Sequence, residues 1–109
     1  MRRLLVALAL ASILAAVGAT FAFARATSVS LRDNFFSRGT VRIRHGSAVH
    51  WTWSKTRNVH NVTGTTTGAR VHSKTGHSGS LTFTFTRRGT YTFICTRHPT
   101  QMRMTVKVT

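Results

Sequence analysis

From Thr27 onward the chain reads with a period of two. Val29 and Leu31 alternate with polar neighbours, Val41 and Ile43 alternate with Arg42 and Arg44, and Val49, Trp51 and Trp53 alternate with His50 and Thr52. Alternation of this kind marks half-buried strands, whose successive side chains point to opposite faces. Leu81, Phe83 and Phe85 repeat it. Tyr91, Phe93 and Cys95 then share one parity against Thr92 and Ile94, and Met104, Val106 and Val108 share another. Turn signals fall between these runs: Asp33-Asn34 before Phe35-Phe36, where an aromatic is expected to tuck inward, then His45-Gly46-Ser47. Arg87-Arg88-Gly89-Thr90 is a turn of hairpin length. Between Gly64 and Gly79 the chain is rich in Gly, Ser, Thr and basic residues, which reads as a surface excursion with at most one short strand near Arg70 to His72. The expected fold is all-β, a Greek-key antiparallel β-sandwich of one domain, because so short a chain cannot build a third layer.

The first 24 residues follow a different pattern. Met1-Arg2-Arg3 precedes a run without charge from Leu4 to Ala24, and Ala22-Phe23-Ala24 has the small-x-small form of a signal-peptidase site. Residues 1–24 therefore read as a signal peptide, or alternatively as an uncleaved N-terminal anchor, and residues 25–109 as the folded domain. Either reading places the domain outside the cytoplasm: periplasmic, extracellular or at the cell surface, and tethered to the membrane if the segment is retained. A domain of this length buries only about 60–65% of its unfolded surface and needs help from disulfides, a metal or a very regular sheet. Cys95 is the only cysteine, so no disulfide forms within the chain. An unpaired cysteine in an exported protein implies an intermolecular bridge, a reactive thiol or a metal ligand.

The neighbours of Cys95 decide for metal. In Cys95-Thr96-Arg97-His98-Pro99-Thr100-Gln101-Met102 a thiol, an imidazole and a thioether lie on one short loop. Soft and borderline donors of these kinds suit copper rather than calcium or magnesium. A His₂Cys trigonal site with a weak axial methionine lacks one histidine here, and His60 in Asn58-Val59-His60-Asn61-Val62 supplies it from 35 positions upstream. Met104 is a rival axial donor by residue type. His45, His50, His72 and His77 have no fixed spacing to this set and read as exposed, and Trp51 and Trp53 read as core and rim aromatics.

At this point the sequence resembles the cupredoxin (blue copper) family, in particular its plastocyanin and amicyanin-like group. Asp33-Asn34-Phe35-Phe36 with Val41-Arg42-Ile43, Gly46-Ser47-Ala48-Val49-His50-Trp51, His60-Asn61-Val62, and Phe85 through Gly89-Thr90-Tyr91-Thr92-Phe93-Ile94-Cys95 all match its pattern. The loop shares Cys-Thr-x-His-Pro with amicyanin, although three residues separate His98 from Met102, one more than in the amicyanin-like loop. The resemblance implies His60, Cys95 and His98 as equatorial ligands of one type 1 copper ion and Met102 as the axial one. It also implies that Asn61 braces the two ligand loops.

Charge adds a partner class. The chain has 16 Lys and Arg against one acid, Asp33; without Arg2 and Arg3, 14 bases and one acid leave +13. Arg97 and Arg103 flank the candidate loop, so a redox protein docking there is expected to be acidic at its docking face. Association with anionic cell surfaces is also expected. One acid and no Ser/His/Asp or paired-carboxylate set argue against an enzyme. The function these features describe is one-electron transport between Cu(II) and Cu(I) by a monomer. Two alternatives stand beside it: copper storage or delivery through the same ligands, and a basic module for anionic polymers. For the latter, no nucleic-acid motif is present, so no specific nucleic acid is expected.

Overall fold

The computed structural model describes residues 25–109; the reading of residues 1–24 lies outside the described residues. Eight strands follow in order: β1 (Ala26–Arg32), β2 (Phe35–Phe36), β3 (Thr40–Ile43), β4 (Ala48–Trp53), β5 (Thr63–Gly64), β6 (Gly79–Thr84), β7 (Gly89–Ile94) and β8 (Arg103–Val108). They form two four-stranded sheets, β2-β1-β4-β6 and β3-β8-β7-β5. The all-β sandwich is as the alternation predicts, and no helix occurs among the described residues.

The sheets are mixed rather than wholly antiparallel. β1 runs parallel to β4, with Val29 opposite Trp51, and β3 runs parallel to β8, with Val41 opposite Val106. Side-chain alternation is the same for parallel and antiparallel strands, so the pattern along the chain does not carry this distinction. Among the described residues only the β1–β2 and β7–β8 connections join neighbours within one sheet. The Arg87–Thr90 stretch does not close a hairpin, because β6 and β7 lie in different sheets. Here the chain crosses between layers. The Phe85 N–H donates to Ser47 O at 2.9 Å, Gly46 N–H to Phe85 O at 2.5 Å, and the Tyr91 hydroxyl to Arg87 O at 2.8 Å. A tyrosine hydroxyl returning to the backbone a few residues upstream is a known device for fixing such corners.

Both inner faces follow the predicted parity. Val29, Leu31, Val49, Trp51 and Trp53 from one sheet meet Val41, Phe93, Met104, Val106 and Val108 from the other. Trp51 is fully buried, its ring 4.6 Å from that of Phe93, and its indole N–H points at Met104 Sδ, 3.2 Å away. The Asp33-Asn34 turn joins β1 to β2 with Asn34 at φ 74°, a left-handed conformation that asparagine tolerates. It turns Phe36 inward and leaves Phe35 53% exposed.

The glycine-rich excursion after Gly64 is not a loose surface loop. It folds back along the chain that carries His60: Gly64 N–H donates to Val71 O at 2.8 Å, Ser73 N–H to Val62 O at 2.9 Å, and His60 and Gly76 exchange both backbone bonds. Ala69 becomes fully buried in the process. Low hydrophobicity hid this, since the segment is held by main-chain bonds that any residue can make. Close approach is what makes Gly64 necessary, because a Cβ there would overlap the Ala69 carbonyl. Gly64→Ala is therefore expected to cost about 1–3 kcal/mol of folding stability in chemical denaturation, as overpacking does. Gly39, with nothing within 4 Å of the corresponding position, serves as the control, and Gly39→Ala should leave stability nearly unchanged.

Candidate metal centre

β7 buries Tyr91 and Phe93 on one parity, and Cys95 continues that parity just past its last residue, fully buried. The β7–β8 ladder ends at Ile94 opposite Arg103. One further pair extends it, Cys95 N–H donating to Met102 O at 3.0 Å. Residues 95–102 are therefore the loop of a hairpin whose feet are hydrogen-bonded. Inside it His98 N–H donates to Cys95 O at 3.1 Å and Met102 N–H to His98 O at 2.8 Å. Pro99 fixes φ immediately after the histidine, and Arg103 Nη1 donates to Pro99 O at 3.2 Å. Met102 is fully buried, rooted directly across from Cys95.

His60 arrives from the chain between β4 and β5 and is also fully buried. Its Nδ1 lies 3.9 Å from Cys95 Sγ, and its Nε2 lies 3.2 Å from Asp33 Oδ1. A carboxylate only accepts, so a neutral His60 carries its proton on Nε2 and presents a lone pair on Nδ1 toward the sulfur. A metal bonded at about 2.3 Å to sulfur and about 2.0 Å to nitrogen, with an angle of about 120°, holds those atoms about 3.7 Å apart. The observed 3.9 Å suits two donors to a shared ion. The His98 ring centroid is 5.6 Å from that of His60, and His98 Nε2 is buried with no hydrogen-bond partner. A buried ring nitrogen without a partner is costly unless a bound group takes its lone pair or its proton. Among the described residues no three His, Cys, Asp or Glu side chains form a closed metal cluster. What the fold brings together is the Cys95 thiol and the His60 imidazole, with spacing for an ion between them, the His98 ring beside that of His60, and Met102 rooted across from Cys95.

The two segments are joined by Asn61. Its N–H points at Cys95 Sγ from 3.4 Å. Its side chain donates from Nδ2 to Thr75 Oγ1 at 3.0 Å and to Thr96 Oγ1 at 2.7 Å, while its Oδ1 accepts from Thr96 N–H at 3.1 Å and Thr63 Oγ1 at 3.0 Å. This is the bracing between loops that the resemblance implied. An N–H directed at the sulfur also moderates its electron density, a standard means of tuning a metal site.

Asp33 was legible only as part of a turn, yet it is a constituent of the site. It accepts from Arg57 N–H at 3.0 Å and Asn58 N–H at 2.9 Å, as well as facing His60. Its pKa is lowered from 3.8 to about 2, chiefly by the Asn58 and then the Arg57 N–H, with the His60 contributions smaller and desolvation opposing. The available signal was compositional: a lone acid among 16 bases. Met104 Sδ is engaged by the Trp51 indole N–H inside the core, away from the loop that carries Met102. His45, His72 and His77 bond to main-chain oxygens and His50 to Thr82 Oγ1, so none of them joins the set.

A two-sheet sandwich with a thiol, two imidazoles and a thioether at one end describes a copper-binding β-protein. The model of the copper-binding proteins of the plastocyanin/azurin family matches residues 24–109, and the chain belongs to that family. Its cofactor is accordingly a single copper ion. Among solved structures, an oxidised single-site variant of amicyanin is 25% identical, with a TM-score of 0.66 over 80% of this chain and 90% of that one. Pseudoazurin from Hyphomicrobium denitrificans (22% identical, TM-score 0.62, 76% and 74% covered) and a purple cupredoxin from Nitrosopumilus maritimus (20%, 0.63, 76% and 99%) share the fold. A comparison with curated protein sequences found no match.

Two outcomes follow for the metal-free protein. Asn61→Ala removes four side-chain hydrogen bonds and should lower the unfolding free energy by about 2 kcal/mol or more, against about 1 kcal/mol for Thr75→Ala, both read from urea curves. The Asp33 pKa is depressed in the folded state, so its contribution to stability is complete above its unfolded value and is lost as pH falls toward about 2. The urea midpoint should therefore drop between about pH 4 and about pH 2, and Asp33→Asn should remove that part of the drop.

Proposed function

We propose that the protein is an exported type 1 (blue) copper electron carrier in which His60, Cys95, His98 and Met102 would hold the ion. The observation that supports this most directly is the approach of Cys95 Sγ to His60 Nδ1, with the other nitrogen of His60 committed to Asp33. Copper so held supplies a one-electron couple between Cu(II) and Cu(I).

The chain's own contribution is rigidity and dryness. His60, Asn61, Cys95 and Met102 are all buried, so water is kept from three of the four donors. His60 is fixed by Asp33 and by its two backbone bonds to Gly76, Cys95 by the hairpin ladder, and Met102 by its two bonds across the loop. Side chains that cannot rearrange keep the reorganisation accompanying electron transfer small. The same pinning weighs against delivery of copper, the alternative use of these ligands, since handing over an ion requires the donors to open. Met102 is favoured over Met104 because the Met104 sulfur is already engaged by Trp51.

Arg97 and Arg103 are exposed beside the loop, which suits an acidic docking face on a redox partner. The only carboxylate side chain is spent on His60 and two backbone amides, leaving none to act as a general acid or base and supporting a non-enzymatic role. Residues 1–24 direct export or anchor the domain formed by residues 25–109.

Adding Cu(II) should give an intense blue thiolate-to-copper band. Cys95→Ser is expected to abolish that band, and a variant that kept it would overturn the ligand assignment. Voltammetry should show Met102→Leu raising the potential, because a weaker axial donor favours Cu(I). Met104→Leu should leave the potential nearly unchanged and cost stability instead, by about 1–3 kcal/mol, because it leaves the buried Trp51 N–H without a partner.

A further inference from the structure

The two ends of the sandwich carry different chemistry. β1, β4 and β7 all run toward the end where His60, Cys95 and His98 gather. The opposite end is made by the start of β1, the turns at 44–47 and 85–88, and the close of β8. Main-chain bonds tie these pieces into one base: Ala48 N–H to Arg25 O at 2.8 Å, Gly46 N–H to Phe85 O at 2.5 Å, and His45 N–H to Thr109 O at 2.9 Å. Arg25, Arg44, Arg87 and Arg88 are rooted on it, and all four are exposed. None of them has a side-chain carboxylate to pair with, because the only acid in the sequence is held at the far end by Arg57 and Asn58. The Thr109 main-chain oxygen at this base is occupied by His45 N–H and by His45 Nδ1 at 3.0 Å.

The sequence also enters the domain at this base. Residues 4–24, which are free of charge and largely apolar, lead directly into Arg25. We propose that the base is a docking surface for anionic phospholipid headgroups, so that the domain stands on the membrane with its Cys95–Met102 loop turned outward. The proposal rests on reading residues 1–24 as an export or anchor segment for what brings the base to the bilayer, but not for what the base binds. Guanidinium groups match the geometry of phosphate oxygens, two N–H donors at a time. Each basic side chain near an anionic leaflet strengthens binding roughly fivefold, and the effect decays within a Debye length. Only charges on the base itself gain this much. The arginines at the other end lie across the length of the sandwich.

The test uses the full chain with vesicles of phosphatidylcholine alone or with about one third phosphatidylglycerol. Binding to neutral vesicles reports the apolar segment, and the ratio of anionic to neutral binding reports the base. The triple variant Arg44→Gln, Arg87→Gln, Arg88→Gln should lower that ratio roughly a hundredfold, while Arg32→Gln, Arg57→Gln, Arg97→Gln changes it less than about threefold. Arginine modification by phenylglyoxal, read by mass spectrometry, gives a footprint that holds even if the segment fixes all the protein to both vesicles. Protection by anionic vesicles should fall on Arg44, Arg87 and Arg88, spare Arg57 and Arg97, and vanish in high salt. Equal losses from the two triple variants, or protection spread over both ends, would show a diffuse field and overturn the proposal. An unchanged vesicle ratio with lost retention on heparin would reassign the base to an acidic polymer and overturn it too.

Discussion

Two pieces of chain that are 35 residues apart in sequence meet through one amide side chain. Asn61 sits beside His60 and reaches Thr96 beside Cys95 from both ends of its amide, while its own N–H faces the sulfur. The adjacent imidazole and thiol are thereby set 3.9 Å apart. The site is positioned by neutral hydrogen bonds that do not compete for the metal, since threonine hydroxyls and backbone amides are poor partners for a soft ion.

The carboxylate of Asp33 plays the complementary part. In a chain with 16 bases, one acid has little value as a surface counter-charge. It is placed instead where two backbone N–H groups and an imidazole converge, which fixes the loop leading to His60 and the proton on its outer nitrogen. A metal-ligating histidine that donates its second N–H to a carboxylate is both oriented and made more basic. Asp33 touches His60 Nε2, so either effect would pass through His60.

The polarity of the sandwich follows from strand direction. With β1 and β4 parallel and β7 running the same way, three strands deliver their last residues to one end. The loops that follow them, 33–34, 54–60 and 95–102, therefore cluster, and the turns that begin these strands gather at the opposite end with four arginines. One end holds buried donors, and the other presents unneutralised charge. The field of the whole chain is strongly positive, so association at either end will be sensitive to ionic strength.

Residue type and period were enough to read the two-layer β architecture and the inward parity of Phe93, Cys95, Met104 and Val106, because these depend on alternation; the chemistry of individual side chains marked His60, Cys95, His98 and Met102 only as candidate donors. Strand direction was not legible, since parallel and antiparallel neighbours alternate alike. Nor was the crossing between sheets at Arg87–Thr90, which is decided by which face each strand must bury. The excursion after Gly64 looked featureless because main-chain hydrogen bonds, common to every residue, hold it against the His60 segment. Asp33 read as a turn residue because its partners lie 24 to 27 positions away. Local sequence names candidate donors; only the packing of distant segments decides which of them face one another, for that depends on contacts made after the two sheets have closed.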